Sequence, residues 1–269
     1  DASSRPGFFE MSSNYMGFIT VFAAMLSMNQ YIREDRGARK FLLVLCFIVT
    51  VAATLLTQTR GAIIALVLAT IIFGLKNRRD LLVVILLPVL VASFLFAGAE
   101  SRERFSMQKM QSNERIGIAL MYGEIIKEHP VMGIGFGMER LQNKEFMTPY
   151  YERVPEAYRD PAFSVSPHNF YLDVAVRVGF VGLLLYLYLI LTVVRMVLLC
   201  FVNGADAAMR SDALCLAASF GAVLVQAFFA DASFGPPALV FYLHMAMIAI
   251  LWKEIPNKSA SPQPDWRKD

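Results

Sequence analysis

Residues 41–75 read FLLVLCFIVTVAATLLTQTRGAIIALVLATIIFGL: two apolar runs, Phe41–Leu56 and Ala62–Leu75, parted by Thr57-Gln58-Thr59-Arg60-Gly61. Crossing a hydrocarbon core of roughly 30 Å takes about 17–20 apolar residues in a helix. Lipid offers the backbone no hydrogen-bond partners, so such runs must be helical unless strands close into a barrel. The ten-residue alternation of a membrane barrel is missing here. The stretch therefore predicts two membrane-spanning helices joined by a turn that holds one arginine.

The rest of the chain repeats the pattern. With 57% hydrophobic and 17% charged residues over 269, and a mean hydropathy of +0.51, it is an integral membrane protein by composition. Spans are expected at about 14–32, 41–58, 61–75, 81–98, 170–194, 213–230 and 238–252. The fold class is thus an all-α integral membrane protein, a helical bundle of about seven transmembrane spans with one long external loop. The third run is short, so either Thr57–Gly61 dips below the headgroups or the bilayer is locally thin. Residues 1–255 form the polytopic unit, with the loop at 99–167 inside it. The Pro/Ser/Lys-rich tail, 256–269, is expected to be a disordered cytoplasmic extension.

Basic residues cluster at Arg33, Arg36, Arg39 and Lys40, at Lys76, Arg78 and Arg79, at Arg195 and Arg210, and after the last span at Lys253, Lys258, Arg267 and Lys268. These sites alternate as a cytoplasmic face should. The opposite face receives the N-terminal stretch, the Arg60 turn, the loop at 99–167 and the Asp231–Pro237 turn. Arg60 is therefore a cation that the positive-inside bias does not explain, next to hydrocarbon, and an anion to bind would explain it. A guanidinium fork suits a diphosphate.

Within the loop, Ser112-Asn113 can cap a helix over Glu114–Glu128, which carries Arg115. His129-Pro130 ends it. Gly133-Ile134-Gly135-Phe136-Gly137 follows a helix rather than a strand, so it reads as a turn needing positive φ or close packing, not a nucleotide loop. From Asn143 to Pro167, prolines at 149, 155, 161 and 167 predict irregular structure. The chain re-enters the membrane through His168-Asn169-Phe170-Tyr171-Leu172-Asp173. Asp173 and Arg177 are spaced to pair on one helix face, and Gly179 and Gly182 permit a neighbouring helix to approach.

His168, at the outer surface, can hold a neutral imidazole near pH 7 and so accept a proton or orient a hydroxyl. His129 is expected at the surface and His244 buried with hydrogen-bond partners. Cys46, Cys200 and Cys215 lie in or beside apolar spans without metal-type spacing. With no Asp-x-Asp pair, His/Cys cluster or Walker loop, no metal or cofactor is expected, and any diphosphate chemistry falls to arginines.

Thr59-Arg60-Gly61-Ala62 between two spans, Arg115 on a helix leading to His129-Pro130-Val131-Met132-Gly133-Ile134-Gly135, and Ser166-Pro167-His168-Asn169 with Gly179-Phe180-Val181-Gly182 together resemble the O-antigen ligase/polymerase superfamily. Arg5-Pro6-Gly7-Phe8 through Asn14 is similar to the family segment before an earlier span. The resemblance, over about residues 5–252, implies an all-helical fold of the membrane glycosyltransferase type in a bacterial inner membrane, with its site facing the periplasm. It implies transfer of a glycan from a polyprenyl diphosphate carrier to an acceptor hydroxyl on lipid A-core or another glycan, with His168, Arg60 and Arg115 catalytic and the two arginines holding diphosphate.

Two departures stand out: Gln58-Thr59-Arg60 replaces a commoner Ser-Arg, and Ile118 or Ala119 stands where an aromatic residue is common. Partners expected are the lipid-linked glycan, its acceptor and membrane lipids, and no nucleic acid. Family members have more spans, the chain begins with Asp1 rather than Met, and no signal peptide precedes the first span, so an N-terminal part is expected to be missing. A polymerase or a protein-glycosylating ligase of the same superfamily would share these motifs. A small-anion transporter would show charged or broken helices near the bilayer midplane and an internal repeat, which the sequence does not display. A scaffold subunit would leave Arg60, Arg115 and His168 without a task.

Overall fold

The computed structural model describes residues 13–57, 59–77, 113–137, 139–159, 167–233 and 235–255. The chain is an all-α, multi-pass membrane protein. Its helices are α1 Ser13–Arg33, α2 Gly37–Leu56, α3 Arg60–Asn77, α4 Asn113–Glu128, α5 Glu139–Gln142, α6 Lys144–Arg153, α7 Phe170–Asn203, α8 Ala207–Gln226 and α9 Gly235–Lys253, with a 3-10 turn at Glu156–Tyr158. Among the described residues, α2, α7, α8 and α9 are long and apolar enough to cross a membrane, and Arg60–Gly74 is a shorter apolar helix. The expected span at 81–98, the segment before residue 13 and the tail from 256 lie outside the described residues.

In lipid, helices gain nothing by burying apolar surface, and they associate through close packing and polar contacts instead. Small residues mark the tightest contacts. Ala62, Ala65 and Ala69 of α3, Ala24 of α1, and Ala218 and Ala222 of α8 belong to one buried cluster with Met25, Leu66 and Phe73. A second cluster joins Phe18 and Phe22 of α1 to Phe170 and Val174 of α7, Phe220 of α8 and Phe241 of α9. His244, inside α9, is fully buried as expected. Its Nδ1 lies 2.7 Å from Val240 O and its Nε2 lies 3.0 Å from Ser219 Oγ. Phe41, Leu42, Leu45, Ile48 and Val49 of α2 instead face outward, more than 45% exposed, as a lipid-facing stripe does.

The described parts of the loop, 113–137 and 139–159, are more ordered than their prolines suggest. Ile118, Met121, Tyr122 and Ile125 of α4 pack with Leu141, Met147, Tyr150 and Val154 into a small apolar core that also takes Val176 of α7. The expectation of irregular structure from Asn143 onward is therefore corrected: Pro149 sits inside α6. A proline there loses one helical bond, a cost of about 3 kcal/mol in an isolated helix. Compensation comes from Asn143, whose side chain accepts from Phe146 N at 3.2 Å, and from burial of Met147 and Tyr150. His129, expected at the surface, is half-buried with Nε2 3.4 Å from the Tyr150 hydroxyl.

Glycine is needed at two positions that meet. Gly133 (φ 64°) and Gly179 (φ 66°) both have positive φ. A Cβ on Gly179 would lie 2.2 Å from Val131 O, and one on Gly133 would lie 2.4 Å from Val176 O. Gly179 thus admits the loop after α4 rather than a neighbouring helix. Gly182 faces Val178 of its own helix, so it too departs from the helix-contact expectation. At Gly179 the helix is broken, and the freed groups are recovered: Phe180 N donates to Pro130 O at 2.7 Å, Ile134 N to Val176 O at 2.9 Å and Gly135 N to Arg177 O at 2.9 Å. Residues 180–203 remain for the crossing, about 36 Å at 1.5 Å per residue.

Candidate active site

One end of the bundle gathers the start of α1, the end of α2, the starts of α3, α7 and α9, and the end of α8. The contacts are specific. Phe170 N donates to Ala227 O at 2.8 Å, Gly61 abuts Phe229 and Gly235 lies beside Tyr15. Of the basic clusters, Arg33–Lys40 lies at the junction of α1 and α2, Arg210 near the start of α8 and Lys253 at the end of α9, all at the other helix ends, whereas Arg195, expected to flank a turn, lies inside α7 eight residues before its end.

His168 stands at this end, immediately before α7. Asn169 caps the helix, its side chain accepting from Leu172 N at 3.0 Å, and Phe170 is tied to Ala227. Between these anchors and Pro167, His168 is held at φ 45°, the sole non-glycine residue with positive φ among the described residues. The left-handed region costs a non-glycine residue roughly 1–2 kcal/mol, and such strain clusters at functional sites. The ring is half-buried. Burial holds its pKa below the ordinary 6.5, the nearby Arg115 charge adds to that, and Asp231 opposes it.

Arg115 from α4 and Asp231 from the turn between α8 and α9 thus both lie within electrostatic range of His168. Tyr15 of α1 lies within electrostatic range of Asp231 and Asp173. Tyr122 of α4 is fully buried, and its phenol is pushed well up by burial and by Asp173, against Arg177 and with a further push from Asp231. Arg60 is half-buried and opens α3 at the same end. Its neighbour Gly61 packs on Phe229, two residues before Asp231.

A buried ion pair fastens these elements together. Arg177 Nε donates to both Asp173 carboxylate oxygens at 2.8 Å, and its Nη1 donates to Phe136 O at 2.9 Å and Gly137 O at 3.0 Å. Asp173 also accepts from Ser233 Oγ at 2.6 Å. The expected Asp173–Arg177 pair thus exists, and it does more than brace one helix: it clamps the turn after α4 and the α8–α9 turn onto α7. Asp231, Ser233, Tyr15 and Tyr122 were not singled out in the sequence. Asp231 alone left a usable signal, since it lies between two spans on the same expected face as Arg60.

The family model described as O-antigen ligase matches residues 41–187, more than half of the chain. The chain belongs to the O-antigen ligase family. No curated protein matches it. The matched region carries Arg60, Arg115 and His168, while Asp231 and Ser233 come from beyond it. Membership of the O-antigen ligase family gives the chain a general glycan-transfer, ligase-type role in a membrane.

The lowered pKa of His168 has a testable sign. Protonation is weaker in the folded protein than in the unfolded chain, so stability from the neutral ring is complete above about pH 6.5 and is lost as pH falls through the lowered value. The acid limb of the transfer-versus-pH profile is accordingly expected below pH 6.5. Arg115→Gln should move that limb upward by removing an opposing cation, and Asp231→Asn should move it down. Limbs that stay fixed in both variants would separate these charges from His168.

Proposed function

We propose that this protein transfers a glycan from a polyprenyl diphosphate carrier to an acceptor hydroxyl, on lipid A-core or another glycan, at the periplasmic face of a bacterial inner membrane. The observation that carries the reading is the strained, partly desolvated His168 within electrostatic range of Arg115 and Asp231, at the helix ends where Arg60 also lies. In the step, the acceptor oxygen attacks the anomeric carbon and the bond from that carbon to the diphosphate oxygen breaks. The electron pair leaves with the diphosphate. His168 takes the acceptor proton, or orients that hydroxyl, and its lowered pKa supplies the neutral ring needed. Arg60 and Arg115 offset the charge growing on the leaving diphosphate.

Transport fits less well. The helix break at Gly179 was not foreseen, and it does bring a charged pair into a broken helix. That pair, however, is closed by its own partners and by the external loop, so it offers no charge to a permeating ion. The discriminating experiment is a gel separation of surface glycans from a strain lacking the gene, with and without the full-length protein restored. Lipid-linked glycan left uncoupled would identify a ligase. Glycan stopped at one repeat unit would identify a polymerase, and an unchanged profile would favour transport or a scaffold.

A further inference from the structure

Gln226 is the last residue of α8, 2% exposed, and its Nε2 is the single buried side-chain polar atom among the described residues with no hydrogen-bond partner. An unpaired donor buried in a membrane bundle is costly, and replacement by an apolar residue would remove the cost. Its surroundings say what would pair with it. A Cβ placed on Gly17 would lie 3.2 Å from Gln226 Oε1, 3.3 Å from Thr59 Oγ1 and 2.6 Å from Ala62 Cβ. The carboxamide therefore sits beside the first turn of α3.

That turn is an anion-favouring end. At the start of α3, Ile63 N donates to Thr59 O at 3.1 Å, and the amides of Gly61 and Ala62 precede any carbonyl that the helix itself could offer them. The helix dipole places partial positive charge there, over 18 residues of helix. Arg60 adds a full charge. The neighbouring hydroxyls are tied to one another: Thr59 with Thr57 at 2.8 Å, Thr57 to Thr54 O at 2.6 Å, and Thr54 to Thr20 at 2.8 Å. Phe229 packs on Gly61 and is 36% exposed, so this turn lies at the edge of the bundle. Asp231, farther along the same turn, is the opposing charge that Arg60 and the helix end must outweigh.

We infer that Gln226 is a ligand-binding residue whose side-chain N–H donates to a phosphoryl oxygen of the lipid diphosphate held at the start of α3 beside Arg60. This rests on the diphosphate reading given above. The test measures binding of farnesyl diphosphate to the full-length protein in phosphatidylcholine nanodiscs, for wild type, Gln226→Leu, Gln226→Glu and Arg60→Ala, with the melting temperature of each ligand-free protein. Gln226→Leu should weaken binding about tenfold, the scale of a hydrogen bond to a charged group, while leaving the ligand-free melting temperature equal or higher. Gln226→Glu should weaken it further.

Unchanged binding in Gln226→Leu, with Arg60→Ala weakened, would overturn this inference and leave the diphosphate reading standing. Unchanged binding in all three variants, or none in the wild type, would overturn both. A melting temperature that falls with Gln226→Leu would assign the residue to packing. If Gln226→Leu instead changes only retention of phosphatidylglycerol, in nanodiscs containing it, the site belongs to a phospholipid headgroup and the inference fails.

Discussion

His168→Ala is expected to lower glycan transfer by about 10²–10⁴-fold, the usual contribution of a positioned general base, at undiminished abundance of folded protein. The residue is held by its neighbours rather than holding them: Asn169 caps α7 and Phe170 anchors to Ala227, and neither contact uses the imidazole. His168→Gly separates the chemical loss from the structural one. Glycine accepts φ 45° without strain, so this variant should be as inactive as the alanine one yet more stable by about 1 kcal/mol. Transfer in membranes at matched abundance, with melting curves of the purified proteins, checks both halves. Activity within a few-fold of wild type in His168→Ala would remove the ring from the reaction.

Arg177→Met is expected to destabilise the protein by about 3–5 kcal/mol, the range for breaking one half of a buried ion pair. Arg177 and Asp173 are 1% and 0% exposed, so the substitution leaves a carboxylate facing only Ser233, and it strips the Phe136 and Gly137 carbonyls of their donor. The double variant Asp173→Leu, Arg177→Met should regain much of that stability, because two apolar side chains leave no charge stranded. Transfer should not return with it, since the clamp that sets the α4 turn and the α8–α9 turn against α7 is gone. The pair between Arg33 and Asp212 at the other end of the bundle is a useful control: both side chains are about a third exposed, and breaking it should cost no more than about 1 kcal/mol. Thermal denaturation in detergent measures all of these. A loss below 1 kcal/mol in Arg177→Met would show that backbone contacts around Gly133 and Gly179 suffice.

The helices were legible from residue 13 onward because lipid makes helix formation a local requirement: an apolar run either bonds its own backbone or does not enter. Helices α1, α2, α3, α7, α8 and α9 accordingly lie where apolar runs predicted spans, and α4 starts one residue before the expected Glu114 and ends at the expected Glu128. Gly133 and Gly135 have the positive φ that their turn called for. The reading went astray where packing outweighed local preference. Pro149 argued against a helix, yet burial of Met147 and Tyr150 against α4 holds one. Gly179 suggested a close helix neighbour, and the neighbour is a turn that breaks the helix itself.

The candidate site divides along the same line. Arg60 could be named from the sequence alone, since a cation beside hydrocarbon is an anomaly visible in one residue, whereas Arg115 and His168 took their roles from the family resemblance. That Asp231 comes within electrostatic range of His168, that Arg177 reaches the Phe136 and Gly137 carbonyls, and that Gln226 Nε2 is left without a partner were decided by the tertiary structure alone. Each depends on helix ends separated by tens of residues arriving at one place. Close packing of side chains sets those distances, and no local pattern of hydropathy or charge encodes them.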